Sequence, residues 1–244
     1  GKKAAQECSK LFTPGKCKIA TLPRKDANEM LVQGESAKLI DSFWSAKSYR
    51  PDGIISGTEI FELLSKEDKT ETIPYPFECL NTKTLGMRRG ELVTITSGTG
   101  QGKSQLCRQI AHHLLKNKES VGYIALEESV KRSALGIMGI DLQKPLHLSK
   151  DGVNKDEFRN SFNATVGSGL LYLFDHFGSH DSMGLLSKIR YLAKGLGVRW
   201  IILDHLSIVI SGLESFDERK LIDVTMTKLR SLVEETGIGL FVVN

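Results

Sequence analysis

The 244-residue chain predicts an α/β fold with a mostly parallel, doubly wound sheet built around a phosphate-binding loop. Three observations carry this. Five apolar runs, "ELVTITS", "VGYIALE", "LLYLFD", "RWIILDHL" and "IGLFVV", recur from about residue 75 onward, as expected of parallel strands buried on both faces. Helical periods fall between them, over residues 103 to 116, about 128 to 138, 182 to 195 and 217 to 235. Between the first run and the first helix stands "SGTGQGKSQ", Ser97 to Gln105.

That stretch matches the fingerprint G-x-x-x-x-G-K-[ST] through Gly102, Lys103 and Ser104, with Ser97 in place of the leading glycine. Gly98, Gly100 and Gly102 let the backbone turn its N–H groups onto one anion, where side chains would obstruct. Together with Thr99, Gln101 and Gln105 they form the expected nucleotide cradle. Leu106, Ile110 and Leu114 then repeat at helical spacing, with Ala111 and Leu115 beside them. The positive end of that helix would face the phosphates. Lys103 is expected on the β and γ phosphates, and the Ser104 hydroxyl on Mg²⁺.

Farther along, "VGYIALEES" ends a buried run in Glu127 and Glu128. A carboxylate on the strand beside the phosphate-loop strand can orient the attacking water. Glu127 is assigned that role, and Glu128 is left to the cap cluster in which Glu128 or Ser129 starts the next helix, where the dipole favours acids. "RWIILDHLS" places Asp204 at the carboxyl end of a buried strand, where an open α/β sheet has its ligand crevice. In a P-loop protein that acid holds the Mg²⁺ shell. His205 and Ser207 either touch bound phosphate or satisfy loop backbone groups, and the sequence leaves both open. Ser215 with Glu218 makes a capping box for the last helix, and Gly237 ends it. In "SGLESFDERK", Arg219 and Lys220 are either contacts to the phosphates of a polymer or a solvated helix start.

Composition sets the outer bounds. Forty per cent hydrophobic and 25% charged residues describe an ordinary globular protein. A net charge of +4 permits a nucleic-acid partner without demanding one. No apolar run approaches the roughly 20 residues of a bilayer span and no signal peptide opens the chain, so a cytoplasmic protein without a membrane partner is expected. Cys8, Cys17, Cys79 and Cys107 form no C-x-x-C pair, which argues against zinc and disulfides and for free thiols. His112 and His113 adjoin on a helix and His176 and His180 straddle a loop, neither pair with a Cys or carboxylate set for a metal.

The first 34 residues hold the amphipathic "KKAAQECSKLF", a turn at Pro14 and Gly15, "CKIATL" and the polar "PRKDANEMLVQG", too little for a domain. Residues 35 to 70 are polar, with one short helix in "TEIFELLSK" striped by Ile60, Phe61 and Leu64. The chain opens on Gly1 and stops inside the apolar "IGLFVVN", so both ends are expected to be cut.

The segments "SGTGQGKS", "LEES", "ILDHLSIV" and "DERKLIDVTMTKL" resemble the successive motifs of the superfamily-four replicative helicases. The resemblance is strongest to the primase-helicases of short-tailed bacteriophages and their mitochondrial relative Twinkle. It spans nearly the whole chain, and Ser97 itself is similar to the phage form. It implies a RecA-like ATPase core over 75–244, powered by ATP or dTTP with Mg²⁺ and moving 5′ to 3′ on single-stranded DNA. It also implies a hexameric ring and a replicative DNA polymerase partner at a phage fork in the bacterial cytoplasm. Residue by residue, Lys103 and Ser104 match the Walker A pair, Asp204 the Walker B aspartate and Glu127 the catalytic glutamate.

Residues 1–34 resemble the tail of a TOPRIM primase fold, with Asp26 matching one of its acidic metal ligands and the completing D-x-D pair expected before Gly1. Residues 35–74 resemble the linker whose helix docks each subunit on its neighbour. The family's γ-phosphate sensor, arginine finger and main DNA-binding loop are expected beyond Asn244. Since an arginine finger is worth about 10³ to 10⁵ in rate, the chain alone is expected to bind nucleotide, hydrolyse it feebly and not unwind. A RecA- or RadA-type recombinase, or a KaiC-like ring ATPase, shares the core and is the alternative. The primase-like piece and the linker argue against that alternative. A small-molecule kinase, a third class, lacks an Arg-rich lid here.

Overall fold

The computed structural model describes residues 2–13, 16–48, 57, 60–65, 71–175, 182–206 and 218–244. The chain packs as two units, Gly1–Asp68 and Lys69–Asn244.

The first unit contains α1 (Lys2–Ser9), α2 (Ala27–Val32), α3 (Ser36–Trp44) and α4 (Phe61–Leu64). In it β1 (Lys18–Ile19) pairs antiparallel with β2 (Lys47–Ser48). Asp26 starts α2 as its N-cap, its Oδ1 accepting from the Glu29 N–H at 2.8 Å. Glu35 lies between two cations, Arg24 at 3.1 Å and Lys38 at 2.7 Å. Their hydrogen bonds hold its carboxyl down to about 2, from an ordinary value of 4.5.

The second unit opens with an antiparallel pair, β3 (Thr72–Ile73) and β4 (Met87–Arg88), on either side of α5 (Glu78–Thr84). Then come five parallel strands: β5 (Leu92–Ile95), β6 (Val121–Ala125), β7 (Leu171–Leu173), β8 (Trp200–Asp204) and β9 (Gly239–Val243). Each lies in one of the apolar runs. Their order in the sheet is β5-β9-β8-β6-β7. The helices between them are α6 (Lys103–Lys116), α7 (Val130–Asp141), α8 (Lys155–Ala164), α9 (Ser182–Arg190) and α10 (Glu218–Thr236).

Side chains alternate across the sheet with the period of two that a strand imposes. On β8, Ile201 and Leu203 join the core with α9 and α10, whereas Trp200 and Ile202 face α6 and α7. On β9, Leu240 and Val242 take the first face, and Phe241 and Val243 the second. Thus the sheet is doubly wound. The three central strands β6, β8 and β9 are buried throughout, while β5 and β7 at the edges are only partly covered.

Two helices depart from the sequence expectation. The period over residues 182 to 195 is realised as α9 followed by a π turn over Tyr191–Gly195. Helix α8 has too few apolar positions for its period to stand out. Its start was nevertheless written in the sequence: Asn154 Oδ1 accepts from the Glu157 N–H at 2.8 Å, and Glu157 accepts from the Asn154 N–H at 3.2 Å. Gly237, at φ +69°, closes α10 as expected, its N–H donating to the Val233 carbonyl at 2.8 Å. Pro14, Gly15, His176, His180, Ser207 and Ser215 lie outside the described residues. All four cysteines are free.

Leu114, fully buried against the sheet from α6, is a direct probe of this core. Leu114→Ala should cost about 2 to 5 kcal/mol, seen as a lower urea midpoint at unchanged slope. A second probe is electrostatic. Because the Glu35 carboxyl is depressed, its stabilisation is complete above its unfolded value of 4.5 and disappears as pH falls through about 2. Glu35→Gln should therefore lower the melting temperature at pH 7, and the gap to the parent should close between pH 4.5 and 2.

Candidate functional site

Parallel strands bring their carboxyl ends to one edge of the sheet, and the loops leaving that edge form the site. The loop after β5 enters α6 with Gly100 at φ +78° and Gly102 at φ +85°. A side chain at either position would be strained in that left-handed region. Gly102 is the N-cap of α6, so the helix begins with Lys103 and Ser104. Lys103 Nζ bends back over the loop and donates to the carbonyls of Ser97 at 2.7 Å and Gly98 at 3.3 Å.

A cavity of about 840 Å³ opens over this loop. Ser97, Thr99 through Gln105, Glu127, His205 and Asn244 line it, along with Arg108, Arg132 and His147. An adjoining cavity of about 600 Å³ is walled by Ser104, Asp204, Glu127, Glu128, Arg108 and Arg132 among others. Lys103, Ser104, Glu127 and Asp204, drawn from three different strand ends, therefore share one crevice.

The route by which Glu127 arrives differs from the sequence expectation. Its strand β6 is not beside β5, because β9 and β8 stand between them. The connection through α10 returns β9 to the inside of the sheet rather than to its edge. Glu127 still reaches the crevice because residue 127 lies beyond the carboxyl end of β6, and it lines the cavity over the phosphate loop.

Asp204 is nearly closed from solvent, its side chain only 4% exposed. Burial pushes its carboxyl above the ordinary value. Hydrogen bonding to Ser104 and the charge of His205 oppose that rise, and the charges of Glu128 and Glu127 add to it. Its Oδ1 finds no hydrogen-bond donor. His205 Nδ1 stands 3.0 Å from this oxygen without the alignment of a hydrogen bond, and 3.3 Å from Glu127 Oε2. His205 thus sits against both acids. A buried carboxylate with an orphan oxygen beside a serine hydroxyl is a donor set that suits Mg²⁺, which takes few protein ligands and completes its shell with phosphate and water. The Asp204–His205 peptide bond is cis.

Glu128 does not cap α7. Ser129 does, its Oγ accepting from the Arg132 N–H at 3.4 Å. Glu128 turns inward instead, where Arg108 Nη2 donates to Oε2 at 2.5 Å and Ser133 Oγ donates to Oε1 at 2.8 Å. A buried arginine within reach is the stronger claim on a carboxylate than an exposed helix end. Arg108 itself, absent from the sequence expectation, carried a signal: it falls four residues after Ser104, on the stripe continued by Ala111 and Leu115. A charge inside an apolar stripe calls for a partner.

Asp26 belongs to the first unit, as the helix cap described above. Among the described residues no group of three or more His, Cys, Asp or Glu side chains is placed to hold a metal ion by itself. Nor is any described helix long and apolar enough to cross a membrane.

Residues 72–244 match the family model described as the DnaB-like helicase C-terminal domain. The chain belongs to the DnaB-like helicase family. Along its whole length this helicase-family chain is 37% identical over 252 aligned residues to a DNA helicase/primase of Enterobacteria phage T3. It spans 44% of the length of that curated relative. Among solved structures, it resembles a DnaB-like replicative helicase studied for its interactions with primase, at 18% identity and a TM-score of 0.61, over 88% of this chain and 54% of that one. It also resembles a KaiC-like protein of Pyrococcus horikoshii, at 18% identity and a TM-score of 0.52, over 72% of each chain. At that identity the structural likenesses show the RecA-like fold and nothing more.

The raised carboxyl of Asp204 means that the helicase domain spends stability to keep this acid ionised where it is. That penalty exists above the acid's unfolded value and vanishes below it. Apo Asp204→Asn should accordingly melt above the parent at pH 7, and the gain should shrink as pH falls toward about 4 and be gone below it. Differential scanning calorimetry across that range checks it.

Proposed function

We infer that this chain is the nucleotide-driven motor core of a replicative DNA helicase, of the primase-helicase type, that moves 5′ to 3′ along single-stranded DNA at a phage replication fork. The observation that supports this best is the convergence of Lys103, Ser104, Asp204 and Glu127 on one crevice. In this reading the fuel is ATP or dTTP. The backbone from Ser97 to Gly102 and the Lys103 ammonium grip the β and γ phosphates, while Ser104 and Asp204 would hold Mg²⁺. When bound, the ion would supply positive charge against the phosphate oxygens. Glu127 orients water for in-line attack.

The working assembly is a ring of six copies in the bacterial cytoplasm, with a replicative polymerase as partner. Residues 1–34 are the tail of a TOPRIM primase fold, with Asp26 among its acids. Residues 35–74 are the linker that docks a neighbouring subunit, and 75–244 the motor. The KaiC-like neighbour is compatible with a recombinase or clock-type ring ATPase. The phage helicase/primase, similar along this entire chain, favours the helicase.

Two substitutions in the full-length protein test the motor. Lys103→Ala should weaken triphosphate binding and cut turnover by about 10²-fold or more, the scale of one lost electrostatic contact. Glu127→Gln should leave binding of Mg-nucleotide near the parent value and lower turnover by about 10² to 10⁴-fold, as for loss of a general base. Unchanged turnover in the first variant would remove the P-loop assignment; helical filaments on DNA in electron micrographs, in place of rings, would favour the recombinase.

A further inference from the structure

Glu127 is lightly held for a residue that must meet a water at a fixed place. Its side chain is 57% exposed, and His205 Nδ1 stands 3.3 Å from its Oε2. Glu128, one residue on, is the opposite: only 13% exposed, with both carboxylate oxygens engaged. Arg132 Nε adds a third, longer contact at 3.6 Å.

Arg108 supplies the shortest of these contacts. It rises from α6 with 7% of its side chain exposed, and its Nη1 also donates to Gln105 Oε1 at 3.4 Å, three residues earlier on the same helix. The helix opposite has been cut back to admit it. A Cβ on Gly136 of α7 would lie 2.6 Å from Arg108 Nε, 2.7 Å from Cδ and 2.9 Å from Cζ. Arg108 Nε, pressed against that glycine, has no hydrogen-bond partner.

A buried ion pair is poor at adding stability, because desolvation of both charges offsets their attraction, and apolar side chains could fill the same space. What such a pair does well is hold one orientation. Here the held carboxylate belongs to the residue that follows the acid assigned to water in the chain, and a displacement of about 1 Å in a reacting group can cost about 10²-fold in rate.

We propose that Arg108 is a positioning residue for hydrolysis: through Glu128 it sets where Glu127 stands over the phosphates. This rests on the assignment of Glu127 to the attacking water.

The test is a cycle in the full-length protein with Arg108→Met, Glu127→Gln and the double variant. It follows single-turnover hydrolysis, binding of a fluorescent Mg-ADP analogue and circular dichroism. Arg108→Met should lower the hydrolysis rate about 10²-fold, while nucleotide affinity stays within about threefold. In the Glu127→Gln background the same change should cost less than about threefold more, because the two residues act as one unit. If the losses multiply, or if affinity falls as far as the rate, Arg108 does not act through Glu127 and the proposal is overturned. A parent-like rate in Arg108→Met also overturns it.

Should that variant not fold, Gly136→Ala displaces the guanidinium while leaving both charges in place. It should show the same loss and the same lack of additivity, and a parent-like rate there overturns the proposal. A parent-like rate in Glu127→Gln alone would instead defeat the assignment of Glu127 itself.

Discussion

A parallel sheet brings every strand's carboxyl end to one edge, and that constraint decides where this protein can do chemistry. Asp204 at the tip of β8, Glu127 past the tip of β6 and the glycine-rich loop past β5 come from residues far apart in the chain. They meet because all three strands point the same way. The order β5-β9-β8-β6 adds a second constraint: the loop and Asp204 are separated by the width of β9. Helix α6 closes that gap. Its first turn carries Ser104 back across the sheet to the wall it shares with Asp204.

The same convergence creates an electrostatic difficulty. Three carboxylates, Asp204, Glu127 and Glu128, end up in one wall, and two of them raise the titration of the third. The chain answers with two arginines and a histidine from different elements. Arg108 on α6 takes Glu128, Arg132 on α7 stands near it, and His205 lies between the other two acids. Of these three acids, Asp204 is the one with a buried oxygen that has no hydrogen-bond partner. A buried anion left short of donors is where a cation gains most, so this acid is the one of the three suited to a metal.

Much of this was legible in the sequence, and the reason is local. Apolar runs mark strands whatever their neighbours, and glycines at Gly100 and Gly102 mark a bend whatever it binds. The five strands of the sheet, helix α6 at its observed bounds and the tips carrying Asp204 and Glu127 all follow from patterns a few residues long. What escaped was non-local. Nothing within "IGLFVV" says that it inserts between two strands formed earlier, so β6 was expected beside β5. Nothing within "LEES" says which acid finds an arginine, since Arg108 lies 20 residues away. Helix α8 escaped for another reason: with Phe158 and Phe162 on a largely polar segment, its strongest mark is the cap at Asn154.

The site also divides into a rigid floor and a freer acid, and that division bears on how a motor could work. Asp204 ends a strand buried at every position, and Ser104 sits in the first turn of a helix anchored by Cys107, Ile110 and Leu114. These groups have little room to move, which suits gripping a nucleotide with the same geometry in every state. Glu127, by contrast, projects into solvent from a loop, and the buried pair behind it governs its direction. Binding and turnover are therefore assigned to different parts of the wall. A small shift of α7 against α6 would leave the floor intact and move the acid, so hydrolysis could be gated while nucleotide stays bound.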